Sequence, residues 1–133
     1  MAHRIAVVKV DGIAGPPLRV PELDSAAQPV ADKDGRVKLK EADTLDLLSH
    51  FVMSFPRDKL SLKSIMEANL LYAAITKSRA DSKLAISLPD STFKWLETVL
   101  KDEQIGVPIF GLNLLVILKS LGMSTDIPLK EAQ

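Results

Sequence analysis

The acidic segment from residue 30 to residue 41 has the spacing of a calcium-binding helix-loop-helix loop. Five residues fall on positions 3, 5, 6, 8 and 12 of such a loop: Asp32, Asp34, Gly35, Val37 and Glu41. Oxygen ligands at these spacings bind calcium, and the glycine permits a sharp turn. Position 1 is Val30, however, and Pro21 and Pro29 exclude an entering helix. We therefore expect a β-turn at Asp34-Gly35 with solvated acids, and no bound metal.

The two histidines give little support to catalysis. His50 falls on a predicted helix beside Ser49, and His3 lies near the terminus. A histidine base needs a hydrogen-bonded nucleophile and an orienting partner, and no serine lies in a glycine-rich turn. Paired acids such as Asp43 and Asp46 suit a helix start. We predict a partly buried His50, no catalytic or cofactor-binding residue, and a protein that is not an enzyme.

The composition is that of one globular domain. The chain has 133 residues, 47% of them hydrophobic, and no cysteine. Disulfides, thiolate metal sites and cysteine nucleophiles are therefore excluded. Lys+Arg and Asp+Glu number 17 each. This neutral balance argues against general nucleic-acid binding, which depends on an excess of positive charge.

No segment predicts a membrane span or a secretion signal. The longest uncharged run, Ile105 to Leu118, has 14 residues and contains Gly and Pro, whereas a spanning helix needs about 20 residues. The first ten residues carry charges at Arg4 and Lys9 and lack the long apolar stretch of a signal peptide. We therefore expect a cytoplasmic protein that does not bind membranes.

Residues 1–40 are predicted to form strands and a proline-rich arm. Apolar residues alternate in Ile5–Val10 and Arg36–Lys40, and Asp-Gly turn dipeptides at 11–12 and 34–35 flank these runs. Between them, the prolines of Gly15–Pro29 exclude a helix and favour an extended arm over the surface. No internal repeat is evident.

Residues 41–123 follow a helical period. Helix starts are predicted where a side chain can accept free backbone N–H groups, at Asp43, Ser61 and Ser87. The second helix has the apolar stripe Leu62, Ile65, Met66, Leu70, Ala73 and Ile75. The last helix, Ile109 to Leu121, is apolar on nearly every side, which predicts a central position and burial of both Leu115 and Ile117. Leu84–Ile86 is interpreted as a connector, although a strand that pairs with the N-terminal ones also fits.

These elements predict a single α+β domain. About four helices, with the C-terminal helix at the centre, would pack with a small N-terminal β-hairpin or sheet. Residues 1–40 would supply the strands and the proline-rich arm, residues 41–123 the helical core, and residues 124–133 a loose polar tail.

Four apolar residues are candidates for a protein interface. Leu18, Val20 and Leu23 lie in the proline-rich segment, where a loop without a partner has little reason to hold apolar groups. Trp95 lies off the main apolar stripe of its helix, and interfaces favour exposed tryptophan. We expect the residues of the proline-rich segment to contact another subunit or a partner. For Trp95, a packed position at the margin of the core is the other interpretation.

The order of these parts resembles that of a class of small proteins encoded by tailed bacteriophages and prophages. The resemblance spans roughly residues 30–122. It rests on the Asp-Gly turn, the strand Val37–Leu39 that leads to Thr44-Leu45, the break at Pro56, the capped helix after Ile86-Ser87, and Pro108 with Gly111 before the last helix. It implies a virion or an infected bacterial cell as the setting, and it transfers no site residues.

The leading hypothesis is a non-catalytic protein–protein interaction or assembly subunit, such as a phage structural or morphogenesis component. A neutral charge and an extended arm suit a protein that binds other proteins or its own copies. The alternative is a small regulatory protein that binds and modulates a host or phage enzyme. No cofactor is expected in either case.

Overall fold

The computed structural model of the chain describes residues 2–22, 24, 26, 28–81 and 84–125. Its helices are α1 (Thr44–Ser54), α2 (Leu62–Ala80), α3 (Asp90–Leu100), α4 (Gly106–Phe110) and α5 (Leu114–Ser120), and its strands are β1 (Ala2–Ala6), β2 (Arg19–Pro21), β3 (Leu39–Glu41) and β4 (Ala85–Pro89). Single 3-10 turns occur at Arg57–Lys59 and Gly111–Asn113. The α+β class is confirmed.

β1 and β4 form an antiparallel pair, although they are far apart in the chain. Ile5 lies opposite Ile86, and both side chains are buried. The connector interpretation of Leu84–Ile86 is therefore wrong from residue 85 onward, where the chain is a strand. Ser87 lies within this strand and does not cap α3, which follows Pro89 without a side-chain cap.

Two β-hairpins repeat the same backbone hydrogen bonds 20 residues apart. In the first, the N–H of Leu18 donates to the carbonyl of Val10 (2.8 Å). In the second, the N–H of Lys38 donates to the carbonyl of Val30 (2.7 Å). This similarity is not predicted from the sequence. The repeat is one of backbone geometry, and few side chains are shared between its halves.

The turn predicted at Asp34-Gly35 is confirmed. The Asp32 carboxylate accepts the N–H groups of Asp34 (2.9 Å) and Arg36 (3.0 Å), and Gly35 has a φ of 78°. Gly15, 20 residues earlier, also has a positive φ. Because these backbone N–H groups bond to a carboxylate oxygen of Asp32, this acid serves the turn.

The proline-rich segment is not simply an arm over the surface. Its residues Arg19–Pro21 form β2, which pairs antiparallel with β3, so that Val20 lies opposite Lys40. Val20 is buried in the main core. The interpretation of Gly15–Pro29 as an arm is therefore corrected for β2, which belongs to the sheet of its own chain.

The first two helices begin where the capping residues predict. The Asp43 side chain accepts the N–H of Asp46 (2.8 Å), and the Asp46 side chain accepts the N–H of Asp43 (3.0 Å), which completes a capping box. The Ser61 hydroxyl accepts the N–H of Ser64 (3.1 Å) and caps α2.

The predicted continuous helix from Ile109 to Leu121 is wrong. Gly111, with a φ of 54°, ends α4, and a 3-10 turn leads into α5. The break turns Leu112 and Leu115 to the exterior, whereas Ile117 and Leu118 are buried. The C-terminal region therefore contributes one buried face of a short helix to the core. The most deeply buried side chains come from β1, β4, α1, α2, α3 and α5: Ile5, Leu48, Phe51, Leu71, Ile75, Ile86, Leu88, Leu96, Leu100, Ile117 and Leu118.

Candidate functional site

α2 has an inner face that is partly polar and an outer face that is largely apolar. Ser64, Glu67 and Ser78 are buried beside Leu71 and Ile75. The outer face carries most of the predicted stripe, exposed to solvent: Leu62, Ile65, Met66, Leu70 and Ala73. Leu62 is 75% exposed and Met66 59%. A surface helix normally shows the opposite arrangement, with its apolar stripe toward the core.

The buried polar side chains of α2 form specific hydrogen bonds with α3. The Thr92 hydroxyl donates to a Glu67 carboxylate oxygen (3.1 Å), and the indole N–H of Trp95 donates to the Ser64 hydroxyl (3.2 Å). Buried polar groups are costly without partners. These bonds, together with the burial of Leu71 and Ile75, stabilise the side of α2 that faces the domain.

The outer face of α2 is uncharged along most of its length. Lys63 and Lys77 are exposed near its two ends, and Glu67, the acidic residue of α2, is buried. On a helical wheel, Lys63 falls about 20° beyond Leu70, and Lys77 falls between Met66 and Leu70, so both lie on the Leu70 side of the stripe. The surface is an apolar strip with a positive charge near each end.

A cavity of about 580 Å³ lies beside α2, on the side of α1. Its lining comes from β2 and the turn after it, from β3, and from α1 and α2: Val20, Pro21, Glu22, Asp24, Pro29, Lys40, Asp46, Ser49, His50, Met53, Tyr72 and Arg79. Such volumes are typical of small-molecule pockets.

Asp46 is the centre of the charged groups in this cavity. One of its oxygens, Oδ1, lies 2.7 Å from the Arg79 guanidinium and 3.2 Å from the Lys40 ammonium. Burial pushes the pKa of Asp46 up, but the N–H of Asp43 and the Lys40 and Arg79 charges outweigh it and hold that pKa below its ordinary value. Asp46 is thus an ionised carboxylate that joins α1, α2 and β3.

His50 is the partly buried helical residue that the sequence predicts. Its ring centroid lies 6.2 Å from that of Phe110. Burial disfavours the charged imidazolium and lowers the pKa of His50 below its ordinary value. At neutral pH the ring is therefore uncharged.

Replacing His50 by glutamine should make stability less dependent on pH. The unfolded chain binds a proton at His50 below pH of about 6.5, the ordinary pKa, but the folded protein resists this protonation. In the wild type the free energy of unfolding should therefore fall as pH drops below that value, and the fall should be smaller in His50→Gln. Urea unfolding of both proteins from pH 7.5 to 5 measures the difference. If the free energy of unfolding changes equally with pH in both proteins, the lowered pKa of His50 is contradicted.

The four predicted interface residues do not form one exposed surface. Val20 and Trp95 are buried, Trp95 against Ser64, and Leu18 packs partly buried against the main core. Leu23 lies outside the described residues. Their role as an interface remains a prediction, but the buried Val20 and Trp95 are part of the core of this domain.

The sequence indicates, through apolar residues on two sides of the helix, that α2 has an apolar outer face as well as a buried one. Leu71 and Ile75 point to the opposite side of the helix from Leu62 and Met66, so the helix has more apolar residues than one buried face requires. Apolar residues on two sides indicate either complete burial or a second contact surface. The cavity has no comparable local sign, because its walls come from four separate segments.

Comparison with known protein families, curated proteins and solved structures finds no match to this chain. In the described part of the chain, no helix combines the length and apolarity that crossing a membrane requires. The same residues contain no group of three or more His, Asp or Glu side chains placed to hold a metal ion. The surface of α2 and the cavity beside it are the features on which function can be argued.

Proposed function

We propose that this protein is a non-catalytic protein–protein interaction or assembly subunit, and that the outer face of α2 is its binding surface. The supporting observation is the orientation of α2, which buries Ser64 and Glu67 and exposes Leu62 and Met66. Contiguous exposed apolar surface is characteristic of protein-binding sites. A helix of 19 residues is about 28 Å long, enough for a second helix to pack along it.

The positive charges at the ends of the strip favour a different protein as the binding partner, and oppose a second copy of this chain in that role. The centre of α2 is Leu71, from which Lys63 lies eight positions away and Lys77 six. In an antiparallel pair of α2 helices, Lys63 of one copy would therefore lie within about 3 Å of Lys77 of the other along the helix axis. Like charges in contact oppose association. The buried Glu67 cannot compensate. The partner proposed here is an apolar helix flanked by acidic residues.

The phage resemblance supplies the proposed setting, a structural or morphogenesis assembly in the virion or the host cytoplasm. A small regulator that binds a host or phage enzyme is the second candidate, and the charge argument supports it equally, since both bind a different protein. A clean monomer in light scattering favours the regulator, whereas ordered self-assembly favours a structural subunit.

The double variant Leu62→Glu/Met66→Glu should lose partner binding and keep its fold. Burial of each side chain contributes about 1.5–3 kcal/mol, so affinity should fall at least about tenfold. The probe is a synthetic amphipathic helix with a leucine face and glutamate flanks, measured by fluorescence anisotropy. A peptide with lysine flanks should bind more weakly.

The matched control is Leu84→Glu/Leu112→Glu, which changes two equally apolar residues that are 84% and 83% exposed elsewhere on the surface. Its affinity for the peptide should equal that of the wild type, and circular dichroism should show all three proteins folded. Equal affinities of all three proteins for the peptide would refute the assignment of the outer face of α2 as the binding surface. A wild-type dimer that dissociates in the α2 variant would assign the face to self-association and contradict the proposed acidic partner.

A further inference from the structure

The lining of the cavity beside α2 carries two cations, Lys40 and Arg79, and three carboxylates, Asp46, Glu22 and Asp24. Lys40 and Arg79 both contact the same oxygen of Asp46, so two cations share one carboxylate. A guanidinium has five N–H donors and an ammonium three. Among the described residues, Asp46 is the hydrogen-bonding or ionic partner of each. Donors therefore remain for another anionic group.

The other two acids of the lining are already engaged. The Glu22 carboxylate lies 3.6 Å from the ammonium of Lys38, and an Asp24 oxygen accepts the N–H groups of Ala26 (2.9 Å) and Gln28 (3.0 Å). These acids still repel a ligand with several negative charges. The arrangement suits a single negative charge placed near Arg79.

The rest of the cavity suits an apolar body. Pro21, Pro29 and Met53 line it together with the ring of Tyr72. Ser49 and His50 can form hydrogen bonds without adding a charge. Ligand sites of this kind combine mainly apolar walls with a few polar groups that orient the ligand.

We propose that the cavity binds a small organic monoanion, with a carboxylate or sulfonate group at Arg79 and Lys40 and an aromatic or aliphatic body against Pro21, Met53 and Tyr72. The ligand enters a space separate from the outer strip of α2, since Leu62 and Met66 are not among the lining residues. Small-molecule binding is thus a property distinct from partner binding.

Two fluorescent probes with the same aromatic body test this site. 8-Anilinonaphthalene-1-sulfonate carries one negative charge, and N-phenyl-1-naphthylamine lacks the sulfonate and is neutral. The anionic probe should bind the wild type more tightly, and only its affinity should weaken as sodium chloride is added, because salt screens the interaction with Arg79 and Lys40.

The variants Arg79→Gln and Lys40→Gln test separately how much each cation contributes to binding of the anionic probe. Loss of a hydrogen bond to a charged group should weaken binding of the anionic probe about tenfold or more in Arg79→Gln, whereas Arg79→Lys should recover part of it. Lys40 is half-exposed on β3, so Lys40→Gln provides a second test that does not depend on the Arg79 variant remaining folded. The neutral probe should bind all of these proteins equally.

The α2 variant Leu62→Glu/Met66→Glu distinguishes the cavity from the outer strip. Its affinity for the anionic probe should match the wild type. Three results would overturn the proposal: equal affinities of the two probes, an anionic-probe affinity in both glutamine variants within twofold of the wild type, or loss of probe binding in the α2 variant. The last result would place the probe on the strip instead.

Discussion

Gly106→Ala is expected to destabilise the protein by about 3 kcal/mol, the upper end of the usual range for overpacking. A Cβ at this position would lie 1.9 Å from the carbonyl oxygen of Leu100 and 2.5 Å from its Cα. These are backbone atoms at the buried end of α3, so no side-chain rotation can relieve the contact. The start of α4 would have to move away from α3.

Gly111→Ala is the matched control for this change. A Cβ at Gly111 meets nothing within 4 Å, but its φ of 54° is unfavourable for alanine, which costs about 1–2 kcal/mol. Urea unfolding of both variants should rank Gly106→Ala as the more destabilised. Equal midpoints would show that the approach of α4 to α3 is looser than the structure has it.

Ile117→Ala should destabilise the protein by about 2–5 kcal/mol, whereas Leu115→Ala should cost less than about 1 kcal/mol. Ile117 is 1% exposed and Leu115 49%. Both substitutions truncate a large aliphatic residue in the same short helix, so helix propensity changes similarly. The difference between their urea midpoints therefore reports burial. A loss of stability in Leu115→Ala as large as that in Ile117→Ala would instead support the burial on all sides that the apolar sequence predicts.

The sequence predicts well those features that depend on neighbouring residues. The caps at Asp43 and Ser61 and the turn at Asp34-Gly35 each involve groups within a few positions of one another. It predicts the C-terminal helix less well. Gly111 and Pro108 are compatible with one continuous apolar helix or with two short ones, and the choice depends on how that segment packs.

The orientation of α2 could not be predicted from its period. Apolar residues lie on both sides of this helix, and the side that is buried also carries Glu67 and Ser64, which bond to Thr92 and Trp95. These partners lie 25 and 31 positions away in the chain. The cavity depends even more on distant contacts, since Arg79 reaches Asp46 across 33 positions.

The pairing of β1 with β4 has a consequence for the order of folding. The nearest paired residues, Ala6 and Ala85, are 79 positions apart, whereas each hairpin closes within eight. Contacts of long sequence separation form slowly because the intervening chain must first lose its freedom. On the ribosome, where chains emerge from the N-terminus, β1 has its edge unpaired until β4 has been made. Over that interval Ile5, fully buried in the finished domain, is exposed on a free strand edge that can pair with other chains. Synthesis rate and chaperone access should therefore affect the yield of folded protein.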